Sequence, residues 1–219
     1  MPNAEALIFD FNGTLFWDTA YNRESWNWIS LTYRHRPYTE EEANFLNGRP
    51  SGVFVRFFLG EATDDGTVSR IIEEKEAHYR ALCWQKGKPV LAPGSDALIR
   101  KAYGLGIPMA IATGAPKSNV DAYRKWFPSL SLFGNNILLD DGTHRRGKPA
   151  PDIFLEALNL LGKQGNETIV FEDSVAGIRA AKAAGITRIY AIGSPLSDKA
   201  GVEKENVPIL PDFTFFSIG

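Results

Sequence analysis

The chain is organised by a set of short apolar runs, each ending in polar residues and each followed by a helical pattern. Ala6 to Phe9 runs into Asp10, Met109 to Ala112 into Thr113-Gly114, and Thr168 to Phe171 into Glu172-Asp173. Continuous apolar runs of this length suit strands buried on both faces, as in a parallel sheet. Ile189 to Ile192, opening after the turn at Gly185, reads as a further strand. Gly94 to Leu105 predicts a helix ahead of the Met109 strand. A second helix is expected with Pro151 at its N1 position and Ile153, Phe154, Ala157, Leu158 and Leu161 on one face. Val175, Ile178, Ala181 and Ala184 repeat every third residue, and Gly185 is placed to close that helix as its C′ residue. Such alternation predicts an α/β fold with a doubly wound parallel sheet. Sheets of this kind bind ligands beyond the carboxyl ends of their strands, and all three polar clusters fall there.

Residues 17–91 behave differently. They hold Trp17, Trp26, Trp28 and Trp84, and their periodicity is helical, with Val68, Ile71, Ile72, Tyr79 and Leu82 on one face. The stretch reads as an all-helical insertion after the first strand, hinged near residues 16–18 and 89–94. The expected division is a core of residues 1–16 plus 92–219 and a helical domain of residues 17–91.

Composition narrows the function classes. Net charge is −2, and no Lys/Arg stripe is visible, so nucleic acid or an anionic membrane surface is not expected as the partner. No apolar run approaches the roughly 18 residues of a membrane span, and the first residues lack the basic start of a signal peptide. Cys83, the single cysteine, reads as a core thiol in a reducing compartment. A cytoplasmic protein, monomeric or weakly dimeric, is the expectation. His35, His78 and His144 show no metal-ligand spacing and read as surface or packing residues.

Taken one at a time, the polar clusters have plain readings. Asp10 could cap the turn that Gly13 permits, Glu172-Asp173-Ser174 could be an N-cap cluster, Lys148 could be solvated, and Thr113-Gly114 could be a strand-end turn. Together they point elsewhere. Two or three carboxylates at adjacent strand ends repel unless a hard cation neutralises them. Mg²⁺ takes such oxygens and is often completed by a substrate phosphate. Lys148, the Thr113 hydroxyl and the Gly114 N–H are suited to phosphoryl oxygens. A carboxylate beside them can attack phosphorus.

Four segments then resemble one known family: Phe9-Asp10-Phe11-Asn12-Gly13-Thr14-Leu15, Ile111-Ala112-Thr113-Gly114, Gly147-Lys148-Pro149-Ala150-Pro151-Asp152-Ile153-Phe154, and Phe171-Glu172-Asp173-Ser174-Val175-Ala176-Gly177-Ile178. In this order they are similar to the haloacid dehalogenase (HAD) superfamily, in particular its β-phosphoglucomutase-like phosphatases with a helical cap. The resemblance implies a Rossmann-like core and a Mg²⁺-dependent phosphatase acting on a small sugar or nucleotide phosphate. It implies Asp10 as nucleophile, with Thr113, Gly114 and Lys148 holding the phosphoryl group. Mg²⁺ would be held by Asp10, the Asn12 main-chain carbonyl, Asp173, and Glu172 directly or through water. Residues 17–91 would be the cap that closes over the site and selects the substrate. Arg49, in the loop Asn47-Gly48-Arg49-Pro50-Ser51, and Trp17 are the residues expected to meet it, whereas Phe54, Phe57 and Phe58 are expected in the cap core.

One position departs from the family pattern. Its phosphatases carry a second aspartate two residues after the nucleophile, as general acid and base, and here that residue is Asn12. A carboxamide does not transfer protons near neutral pH. The alternatives are native activity restricted to good leaving groups or helped by another group, an introduced Asp→Asn change that traps a complex, and a phosphate-ligand binding protein without turnover. A sugar-phosphate mutase is a further alternative. It is disfavoured because Asn22 or Arg23 stands where the mutases carry histidine.

Overall fold

The computed structural model describes residues 5–46, 50–139, 146–193 and 198–218. Arg49 and His144 therefore lie outside the described residues. The chain divides into two compact units, Met1–Trp17 with Val90–Gly219, and Asp18–Pro89.

The first unit is built on a six-stranded parallel sheet. Its strands are β1 (Ala6–Phe9), β2 (Met109–Thr113), β3 (Ile137–Leu139), β4 (Thr168–Glu172), β5 (Arg188–Ile192) and β6 (Ile209–Leu210), in the order β3-β2-β1-β4-β5-β6. The most apolar runs take the middle, as burial on both faces requires. Every residue of β1, β2 and β4 is buried. Register is set by Phe9, which lies opposite Ile111 on one side and Phe171 on the other. β3 and β6, absent from the sequence-based set, are edge strands of three and two residues, too short to show a period.

Four helices of the second unit precede the rest in chain order: α1 (Thr19–Arg34), α2 (Glu40–Leu46), α3 (Ser51–Leu59) and α4 (Asp65–Gln85). The α/β unit adds α5 (Ser95–Gly104), α6 (Lys117–Trp126), α7 (Asp152–Leu161), α8 (Val175–Ala183) and α9 (Lys199–Glu203). Pro151 is the N-cap of α7 rather than its N1 residue, so the helix opens one position later than expected, at Asp152. Gly185 follows the C-cap Ala184 with φ +79°, as the helix-closing role requires.

The pleat sends Ile8, Ala110, Ala112 and Val170 into one core with Ile153, Phe154 and Ala157 of α7 and Ile178 and Ala181 of α8. Phe9 and Phe171 point into an aromatic layer. Their rings stack at 5.2 Å, and Phe213 from the C-terminal segment lies 5.2 Å from Phe171 and 6.1 Å from Phe9. The strand that carries Asp10 is thus packed from both sides.

In the second unit Trp26, Ile29, Leu46, Val55, Phe58, Val68 and Ile71 form the core. Phe54 stacks on Trp26 at 4.5 Å, while Phe57 is 38% exposed. The apolar face of α4 also buries Lys75 and Glu76, whose ion pair spans 2.9 Å. Lys75 donates a second bond to Asn22, and Tyr79 donates to buried Asp18. Cys83 is buried, and burial pushes its thiol up to about 12, which leaves it an inert core residue. His78 stacks on Trp28, and His35 ends α1 in a left-handed conformation, so both serve packing and chain reversal. No described helix is long and apolar enough to cross a membrane.

Phe213→Ala should cost about 3–5 kcal/mol, because the ring is fully buried against Phe9 and Phe171 of the two central strands. At about 2–4 °C per kcal/mol for a chain of this size, calorimetry should show Tm lowered by roughly 6–20 °C. A shift below about 3 °C would mean that the C-terminal segment does not support the sheet.

Candidate active site

Register alone brings the polar clusters together. Phe9, Ile111 and Phe171 are level across β2, β1 and β4, so the next residues along each strand emerge at one edge of the sheet. Asp10 follows β1, and its N–H donates to the Phe171 carbonyl at 2.9 Å. Thr113 ends β2, and Glu172 ends β4. Lys148 arrives from the loop ahead of α7, the helix packed beneath β1 and β2.

After Asp10 the chain reverses tightly. The Gly13 N–H donates to the Phe16 carbonyl at 2.7 Å, and the Phe16 N–H to Phe11 at 2.9 Å. Gly13 has φ +81°, and a Cβ there would stand 2.1 Å from Asp173 Oδ2. Only glycine meets both demands, the left-handed backbone and the carboxylate seated against it.

Lys148 is the junction of the site. Its ammonium donates to Asp10 Oδ1 at 2.7 Å, to Glu172 Oε1 at 2.6 Å and to the Ala112 carbonyl at 3.1 Å. Burial by itself would favour loss of the lysine proton. The Asp10 and Glu172 carboxylates outweigh it and hold Lys148 above the ordinary lysine range. The opposite balance holds at Asp10. Burial, with the Glu172 charge adding to it, pushes its carboxyl up to about 7 against the pull of Lys148.

Glu172 has both oxygens engaged. Oε1 accepts from Lys148, while Oε2 accepts from the Asp173 N–H at 3.0 Å, the Ser174 N–H at 3.0 Å and the Ser174 hydroxyl at 2.9 Å. The carboxylate lies where a Cβ at position 177 would stand, 1.7 Å from Oε1, so Gly177 leaves room for it. Ser174 also caps α8 by accepting from the Gly177 N–H at 3.0 Å. The N-cap reading of Glu172-Asp173-Ser174 therefore holds, alongside the contact with Lys148.

The donor set fits a divalent cation. Asp10, Glu172 and Asp173 each offer a carboxylate oxygen within 4.8 Å of the others, and Lys148 is the cation bonded to two of them. Oxygen ligands with excess negative charge suit a hard ion such as Mg²⁺.

Thr113 and Asn12 meet at the same edge. The Thr113 hydroxyl donates to Asn12 Oδ1 at 3.3 Å and accepts from the Ala115 N–H at 3.1 Å. Asn12 Nδ2 donates to the Tyr123 hydroxyl at 2.9 Å. Tyr123 was not legible as a site residue, because an aromatic on an amphipathic helix reads as core. Gly114 is exposed, with open space where a side chain would stand. Trp17 ends the first chain segment of the α/β unit, and its buried indole N–H has no partner among the described residues.

Comparison with known proteins follows the same lines. The haloacid dehalogenase-like hydrolase model matches residues 4–185. A validoxylamine A 7′-phosphate phosphatase from Streptomyces hygroscopicus subsp. limoneus is 30% identical, over 96% of this chain and 94% of that protein. A phosphorylated carbohydrates phosphatase from Thermotoga maritima is 29% identical, over 89% and 88%. Among solved structures, a HAD hydrolase of family IA, variant 3, from Entamoeba histolytica superposes with a TM-score of 0.87 at 31% identity, covering 97% of this chain and 95% of that one.

The raised carboxyl pKa has a consequence for stability. The folded state binds the Asp10 proton more tightly than the unfolded chain, so this group favours folding at low pH. Its contribution falls as pH climbs from about 4, the unfolded value, through about 7. Asp10→Asn should therefore raise Tm by a few degrees at pH 8 in a chelator and lose that advantage near pH 4 to 5. Calorimetry at both pH values checks this, and a lower Tm at pH 8 would contradict it. The buried, lysine-held carboxylates and the four motifs around them place this chain in the family of haloacid dehalogenase-like hydrolases.

Proposed function

We propose that this hydrolase cleaves phosphate monoesters of small sugars through an aspartyl-phosphate at Asp10. The observation that carries the reading is the contact of the Asp10 carboxylate with a lysine that a second acid also holds, at the carboxyl edge of the sheet. The two relatives named for phosphorylated carbohydrates and for validoxylamine A 7′-phosphate support a sugar-like leaving group.

In this reading Lys148 exchanges one of its three bonds for a phosphoryl oxygen. Thr113 turns its hydroxyl proton from Asn12 to the phosphoryl group, and Gly114, bare of a side chain, lets its N–H approach. Asp10, Asp173 and the Asn12 main-chain carbonyl would hold Mg²⁺. Glu172, engaged by four donors, would act through water. When bound, the ion neutralises the carboxylates and phosphoryl oxygens, so that one anion can approach another.

A free Asp10 oxygen then attacks phosphorus, and the ester oxygen departs with the bonding pair. Asn12 has no proton to give at neutral pH, so the departing alkoxide takes one from water. A second water cleaves the aspartyl-phosphate, restoring Asp10 and releasing inorganic phosphate. Substrate selection is assigned to the helical unit, and Trp17, with Arg49, remains a candidate contact through its unpaired indole N–H.

A second reading rests on Asn12: a protein that binds phosphate compounds without turning them over. It would leave such ligands unchanged after long incubation with Mg²⁺.

A panel of sugar and nucleotide phosphates with Mg²⁺ should show turnover, lost in Asp10→Ala and on chelation. Mass spectrometry of a quenched reaction should find phosphate on Asp10. Asn12→Asp should raise kcat by on the order of 10²–10⁴. No turnover on any ester by either protein would exclude the phosphatase.

A further inference from the structure

We propose that Tyr123 is the positioning residue for the side chain at position 12, clamping it together with the Thr113 hydroxyl in the free protein and holding it alone once that hydroxyl turns to a phosphoryl group. The amide of Asn12 is held at both ends, by Tyr123 at 2.9 Å through Nδ2 and by Thr113 at 3.3 Å through Oδ1. Both partners are rigid. Thr113 is buried in the last position of β2 and pinned by the Ala115 N–H. The Tyr123 ring is buried, stacks on Phe11 at 4.4 Å and meets Trp126 edge-on at 5.5 Å.

A phenylalanine would fill the same apolar space. The hydroxyl is the one feature of Tyr123 that the packing does not require, and it is bonded to the residue two positions after Asp10. A buried phenol does need a partner, so the plainer account is that Asn12 merely satisfies Tyr123. The clamp makes a further claim. Each hydroxyl both donates and accepts, so the frame holds an amide in either orientation, and it would hold a carboxylate in the same place with both hydroxyls donating. Tyr123 thus fixes whatever side chain stands beside the reacting atoms, and under the phosphatase reading, on which this inference rests, it acts on kcat through residue 12, whose amide would orient the water that protonates the leaving alkoxide.

The test is a double-mutant cycle on an ester that the enzyme turns over. Tyr123→Phe keeps the ring and removes only the hydroxyl. It should lower kcat by about tenfold with KM changed less than about twofold. Asn12→Ala should lower kcat at least as far, and the double variant should fall no further than Asn12→Ala alone. In an Asn12→Asp background, Tyr123→Phe should again remove about tenfold. Losses that multiply in the double variant, or a Tyr123→Phe kcat within about twofold of wild type, would overturn the proposal. A second readout needs no turnover: the ¹⁵N-edited side-chain amide resonances of Asn12 should shift and exchange faster with solvent in Tyr123→Phe. Unmoved resonances overturn the clamp. Shifted resonances with no ester hydrolysed by any variant would uphold the clamp and sink the phosphatase reading alone.

Discussion

Lys148 carries three N–H bonds and finds three acceptors: Asp10 after β1, Glu172 at the end of β4, and the Ala112 carbonyl in β2. Its ammonium therefore ties together the ends of three adjacent strands from a loop remote in sequence. Two like charges at about 4 Å repel by about 4 kcal/mol at the effective dielectric of a protein surface, and by more where water is excluded. Asp10, Glu172 and Asp173 offer oxygens within 4.8 Å of one another, so one lysine offsets only part of that repulsion. Glu172 is eased further by the first N–H groups of the turn into α8, a helix N-terminus that favours negative charge. Asp10 is the group that shows the strain of the site: burial, with the Glu172 charge adding to it, pushes its carboxyl up to about 7 against the pull of Lys148.

The rest of the α/β unit keeps this crowd in register. A parallel sheet brings like ends of strands to one edge, and the aromatic layer of Phe9, Phe171 and Phe213 resists the slip that would separate them. Two glycines complete the seat by removing side chains where carboxylates must lie, Gly13 beneath Asp173 and Gly177 beneath Glu172. The helical unit poses a separate problem. Lys75, Glu76, Asp18 and Tyr79 are buried together, and each charge there is tolerated only because a partner is built beside it.

Much of this was legible in the sequence, for reasons that differ by element. β1, β2 and β4 were readable because burial on both faces forces a continuous apolar run, and the polar residues that end those runs marked the site. β3 and β6 were not, because an edge strand of two or three residues has no period. Pro151 was misplaced by one position because the Pro signature does not separate the cap from the first helical residue. Lys75 lies four residues from both Ile71 and Tyr79 on the apolar face of α4, so its burial was written in the spacing. Charge, more often a sign of solvent, hid it. Glu172 showed the limit of pattern. The resemblance implied a hold on Mg²⁺ directly or through water, and the four donors around its carboxylate are visible only in three dimensions.

Asn12 is best understood against the same electrostatics. An aspartate at this position would add a fourth carboxylate to a cluster where three already exceed the charge that Lys148 offsets. The carboxamide keeps the shape and meets the same two hydroxyls, yet adds no charge, so the cluster folds against less repulsion. What it removes is a proton that can move. The main-chain carbonyl and the tight turn at Gly13 are indifferent to the exchange, because neither depends on the side chain at position 12. A neutral residue there separates the two demands of the proposed chemistry, leaving the grip on the phosphoryl group intact while the leaving oxygen depends on water for its proton.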